Sequence, residues 1–108
     1  MIVDDPDVKP HAFTMWTVWD IAVRFRALPE QGISDRSPVP GSRIGRNDNG
    51  AVGYAGPCFP ERSGHHYRWT VYALSGRPAL AQAASPGQVR RAIAPLIVGY
   101  GLLVAKGY

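Results

Sequence analysis

A chain of 108 residues with 45% hydrophobic and 19% charged residues holds one small domain with a core, and is neither two domains nor a disordered tail. Twelve Lys and Arg against eight Asp and Glu leave a net charge of +4. Ten of those cations are arginines scattered from Arg24 to Arg91, not gathered into a stripe, so the charge tolerates an anionic partner but does not point to nucleic acid. The single Cys58 excludes an internal disulfide framework and multi-cysteine zinc motifs. Met1-Ile2-Val3-Asp4-Asp5 lacks the basic and apolar regions of a signal peptide. The longest apolar run, Leu96 to Ala105, contains two glycines and falls short of the roughly 20 residues of a membrane span. The expected compartment is therefore the cytoplasm, with no integral membrane association.

Twelve glycines and ten prolines favour strands and loops over a helical bundle. Met1 to Val3 reads as the end of a strand, stopped by Asp4-Asp5-Pro6-Asp7. Phe13 to Ile21 is β-branched and aromatic. Regular alternation puts Met15, Thr17, Trp19 and Ile21 on one face and Trp16, Val18 and Asp20 on the other. From Arg26 to Gly64 the pattern dissolves among glycines and five prolines, a length of irregular chain that is functional or disordered. Tyr67 to Leu74 is the clearest strand, with Tyr67, Trp69, Val71 and Ala73 on one face. Ser85-Pro86-Gly87-Gln88 starts a helix: Ser85 caps, Pro86 fits the first turn and Gln88 completes a capping box. Val89, Ala92, Ile93 and Leu96 follow at helical spacing, and Pro95 ends the helix near Ala94. Leu96 to Val104 fits a last strand and a second helical piece equally well.

Two clusters carry chemistry. The acidic knot Asp4-Asp5-Pro6-Asp7 reads as a tight turn, or as a source of one inward carboxylate. In Gly64-His65-His66-Tyr67, strand alternation places His65 and Tyr67 on a shared face and His66 on the other. His65 and Tyr67 either form a surface loop histidine beside a core tyrosine, or converge on an anion as imidazolium and phenol donors. His11, His65, His66 and the acidic knot lack metal-ligand spacing, and no metal or cofactor is expected. Cys58 has no base fixed beside it in sequence, and no G-x-S-x-G occurs.

Three segments in order resemble the phosphatidylethanolamine-binding protein family, in its short bacterial and archaeal branch known as Raf kinase inhibitor-like. Val3-Asp4-Asp5-Pro6-Asp7 and Phe13 to Ile21 resemble the family's D-P-D-x-P turn and H-W-V-V-W-N strand. Gly45-Arg46-Asn47-Asp48-Asn49-Gly50 and Gly53 to Cys58 resemble its G-x-N-D-x-G and G-Y-x-G-P-C segments. Gly64 to Leu74 resembles its H-R-Y-x-F-x-V-Y-A-L strand. The resemblance implies a mainly β fold, an antiparallel β-sandwich with a short helix near the C-terminus. It also implies a small pocket at one end for phosphate or a phosphorylated head group. Carried over, Asp5, His65 and Tyr67 are the pocket aspartate, histidine and tyrosine, and Pro60 lies where a proline pair lines the mouth.

The chain departs from that pattern. Met15 stands where the family has its first pocket histidine, Phe59 where the proline pair begins, His66 for an arginine and Leu96 for a C-terminal histidine. The Tyr54–Tyr67 loop is one residue shorter. The chain also begins at the D-P-D strand, where the family has strands upstream, so residues 1–108 are expected to be a single domain lacking those strands. The expected function is a non-enzymatic binding protein for a small anion or phosphorylated head group. Its rivals are a surface-mediated inhibitor of a kinase or protease, which needs a protein partner, and a hydrolase or lyase using His65 as base. Open strand edges predict self-association.

Overall fold

The alternation read from Tyr67 to Leu74 belongs to a ten-residue internal strand of an antiparallel sheet. A computed structural model describes residues 1–8, 10–24, 38–55 and 65–107. Its strands are β1 (Ile2–Asp5), β2 (Phe13–Trp19), β3 (Arg43–Ile44), β4 (His65–Leu74) and β5 (Ile97–Gly107). They lie in the order β3-β2-β1-β4-β5, and each neighbouring pair is antiparallel. One helix, α1 (Pro86–Ile93), joins β5 through a 3-10 turn at Ala94–Leu96. The fold is mainly β with a short helix near the C-terminus, as expected, and the described strands form one sheet.

Both faces of the sheet are covered over β1 and β2, which explains why their apolar residues run together. On one face Val3, Met15, Trp16, Val18 and Ile44 form a buried cluster, with Tyr67 and Trp69 packed against it. On the other, Ile2 and Trp19 meet Val89 and Ile93 of α1 and Ala84 before it. Each fully buried aliphatic side chain contributes about 1.5–3 kcal/mol, so these two clusters dominate the stability of the sheet.

Regular alternation fails within β2. Ile2 pairs with Thr17 and Val3 with Trp16, but Asp4 pairs with Thr14, so Met15 is an extra residue in a β-bulge. A bulge turns two successive side chains toward one side. Met15 thus joins Trp16 and Val18, not Thr17 and Trp19 as simple alternation predicts. The strand also ends at Trp19, short of Ile21.

Part of the irregular tract is tied to β2. Gly45 N–H donates to Thr17 O (3.1 Å), Asp48 N–H to Thr14 O (2.9 Å) and Ala55 N–H to Met15 O (2.9 Å). Thr14 N–H returns a bond to Asp48 Oδ2 at 2.7 Å. Gly45 has no room for a side chain: a Cβ there would lie 2.7 Å from the Ala84 carbonyl oxygen and would collide with Thr17 Oγ1.

The capping box forms as expected. Gln88 N–H donates to Ser85 Oγ (3.2 Å), and Ser85 N–H donates to Gln88 Oε1 (2.9 Å). The segment after Pro95, ambiguous in sequence, is strand β5, paired with β4 from Leu74↔Ile97 to His65↔Gly107. It is an edge strand, and Val98, Tyr100, Leu102, Leu103 and Val104 are exposed.

Candidate functional site

Successive residues of a strand face opposite ways, so the adjacent carboxylates of β1 serve different faces. The β1–β4 register sets Asp4 opposite Arg68 and brings the end of β1 beside the start of β4. Asp5 is fully buried, and its Oδ2 lies 2.7 Å from Nδ1 of His65, itself only 8% exposed. A carboxylate only accepts, so the imidazole presents its Nδ1–H to Asp5 and is oriented by that bond. The second oxygen, Asp5 Oδ1, takes the Asp7 N–H at 2.9 Å, which folds the Pro6-Asp7 turn back over the pair.

Tyr67 follows His65 on the same face and packs against the cluster that contains Met15. Burial first, then the negative charges of Asp5 and Asp7, push its hydroxyl above the ordinary 10.0, so the phenol stays a donor near both carboxylates. Tyr54 stands nearby: burial and the neighbouring Tyr67 raise its pKa as well, and its ring meets Trp16 edge-on at 6.3 Å and 83°. Met15 is buried in the apolar cluster at 1% exposure. Pro60 lies outside the described residues, as do Cys58 and Phe59.

His66 points away, as strand alternation requires. Its N–H and its Nδ1 both bond Asp7 Oδ2, at 2.7 and 2.9 Å. Those bonds hold the Asp7 carboxyl below its ordinary 3.8. His11 is exposed and reaches only the Ala12 carbonyl, at 3.3 Å. Asp5, Asp7 and His65 offer ligand atoms within 4.8 Å of one another, among the described residues. Asp5 Oδ2 and His65 Nδ1 are engaged with each other, and Asp7 Oδ2 with His66, so these atoms make a hydrogen-bonded network.

The chain's likeness to known proteins agrees with this geometry. The family model described as phosphatidylethanolamine-binding protein matches residues 1–108. The chain belongs to the phosphatidylethanolamine-binding protein family. A UPF0098 protein of Pyrococcus horikoshii is 40% identical over 108 residues, covering 96% of this chain and 54% of that protein. The crystal structure of Escherichia coli YbcL, a member of the mammalian PEBP family, superposes with a TM-score of 0.85 at 28% identity, over 97% of this chain and 67% of that one. A PEBP homolog from Chlamydia trachomatis shares the fold at a TM-score of 0.72 and 24% identity, covering 99% of this chain and 69% of that one. The chain thus spans about half the length of the first curated relative. Among the described residues, no helix is long and apolar enough to cross a membrane.

For a phosphatidylethanolamine-binding protein family member, sequence reasoning paired Asp5, His65 and Tyr67, and the fold brings these three residues together. It missed Asp7 as the partner of His66 and Tyr54 as a neighbour of Tyr67. The available signal for Tyr54 was its place in the Gly53-Tyr54 segment. For Asp7 it was the carboxylate two residues beyond Asp5.

Proposed function

We propose that this protein is a non-enzymatic binding protein of the cytoplasm. Its pocket, formed by Asp5, His65 and Tyr67 with Met15 at its margin, takes a small anion or a phosphorylated head group. The observation that carries this reading is the buried 2.7 Å contact between Asp5 and His65, with Tyr67 on the same face. Asp5 holds the ring by its Nδ1, so the imidazole meets an oxyanion from the side away from the carboxylate. The Tyr67 hydroxyl, kept protonated, adds a second donor.

Calorimetric titration with inorganic phosphate and with phosphoethanolamine tests it. His65→Ala is expected to lose at least about tenfold in affinity, and His66→Ala to bind like the parent, because His66 serves Asp7. If His65→Ala does not fold, Tyr67→Phe removes one donor with little change of shape and is expected to bind more weakly. Parent-like titrations by every variant would show that the ligand lies elsewhere.

A further inference from the structure

The face of the sheet opposite His65 carries a second arrangement of charge. Asp4, 3% exposed, accepts the Arg68 fork, with Nε 2.9 Å from Oδ1 and Nη2 2.8 Å from Oδ2. Arg90, from the last turn of α1, adds a third donor: its Nη2 lies 3.3 Å from Asp4 Oδ2 and 3.1 Å from Thr14 Oγ1. One carboxylate thus faces two guanidinium groups, leaving one positive charge over. Each guanidinium has five N–H donors, and Arg90 spends only those of Nη2 on described residues.

These groups border a cleft of about 260 Å³. Arg68, Arg90, Tyr72, Tyr100 and Leu102 line it, above buried Ile2 and Asp4. The rings of Tyr72 and Tyr100 stand 6.5 Å apart, tilted by 44°, and form an aromatic wall beside the cations. A structural ion pair needs only one arginine on Asp4, and Arg68 supplies both of its bonds in the fork geometry. The second arginine therefore brings charge and donors in excess of what Asp4 requires, beside the aromatic wall of the cleft.

We propose that this cleft binds a small carboxylate borne on an aromatic or compact apolar body. The single excess charge matches a monoanion better than a phosphate dianion, and the guanidinium edge matches the two oxygens of a carboxylate. The apolar body of the ligand lies against Tyr72, Tyr100 and Leu102. Asp4 acts as a positioning residue: it fixes both guanidinium groups and keeps them from filling the cleft. This site is independent of the Asp5–His65 pocket, since β1 separates them by the thickness of the sheet.

The test is titration of the 108-residue chain with benzoate, followed by backbone amide shifts, with benzamide as the neutral control and inorganic phosphate as the probe for the other pocket. Benzoate is expected to give saturable shifts at Thr70, Tyr72 and Leu102, and benzamide much smaller ones. Arg90→Gln, which leaves the Asp4–Arg68 fork intact, is expected to weaken benzoate at least about tenfold while leaving the phosphate response at residues 5, 65 and 67 unchanged. Arg90→Lys keeps the charge without the fork and is expected to fall between the two. Benzoate shifts confined to residues 5, 65 and 67, equal binding of benzamide, an unaffected Arg90→Gln, or no saturation would each overturn the proposal. Failure of the phosphate arm alone would refute the His65 pocket and leave this one standing.

Discussion

Replacing Asp5 separates the roles of shape and charge in the buried pair. Asn keeps the volume of Asp and can still accept the Asp7 N–H on Oδ1. Its amide, however, presents a donor where the carboxylate accepted from His65 Nδ1. The imidazole must then offer a lone pair, and a charge-assisted bond becomes a neutral one. Bonds to charged groups contribute about 1.5–3 kcal/mol and neutral ones about 0.5–1.5, so Asp5→Asn should cost roughly 1–2 kcal/mol. Asp5→Ala goes further. It leaves the Asp7 N–H and the buried imidazole without their acceptor at a position with no solvent access, and should cost about 2–4 kcal/mol. Against a typical total of about 5–15 kcal/mol, that is a large share. Urea unfolding measures both, as a shift in midpoint at constant slope. If Ala costs no more than Asn, or less than about 1 kcal/mol, the Asp5–His65 contact is not the charged, buried bond described and the pocket built on it loses its support.

Other outcomes follow from separate features. Gly45→Ala should destabilise by about 1–3 kcal/mol or more in the same assay, because its Cβ meets the Ala84 backbone carbonyl, which cannot rotate away; a neutral result would show that the 45–55 loop shifts freely. Met15→His should tighten phosphate at least about tenfold if residue 15 borders the pocket, and unchanged affinity would place it wholly in the core. The exposed apolar side chains of β5 predict self-association, seen by light scattering and relieved by Leu103→Lys; a monodisperse parent monomer would refute this. Burial lowers the Met1 amine from 8.0 to about 6 in the folded chain. Between those values the unfolded chain takes up a proton that the folded one refuses. Stability should therefore fall by about 2 kcal/mol as pH drops from 8 to 6, and Nα-acetylation should abolish that loss. A flat profile would mean that the amine is hydrated.

The legible parts of the fold were those set by local chemistry. Alternation over Tyr67–Leu74 and the Ser85–Gln88 capping box each depend on residues within one element, and both formed. What stayed hidden depends on partners distant in sequence. The bulge at Met15 is defined by how β1 pairs with β2, so no property of Phe13–Trp19 alone announces it. β5 was ambiguous because Pro95 interrupts a helical spacing and Gly99 and Gly101 blur the strand pattern, and only its pairing with β4 resolves it. At the site, strand alternation alone put His65 with Tyr67 and turned His66 away, whereas joining Asp5 to His65 rested on the family resemblance. The Asp4–Arg68–Arg90 grouping joins a strand, a second strand and a helix, and nothing in the three local sequences foretold it.

The adjacency of Asp4 and Asp5 also bears on how β1 finds its place. Four residues make a weak strand, and Ile2 and Val3 are similar enough that apolar burial alone would hardly distinguish one alignment from its neighbour. A shift by one residue would exchange the two carboxylates between faces. One acid would then take the other's place, and Val3 or Pro6 would stand where the second carboxylate is needed. Either slip leaves one hydrogen-bonded group of the pairings without its acceptor, a cost of about 1–3 kcal/mol. The neighbouring acids therefore act as a two-sided key. Only the native alignment satisfies both faces of the shortest internal strand in the sheet.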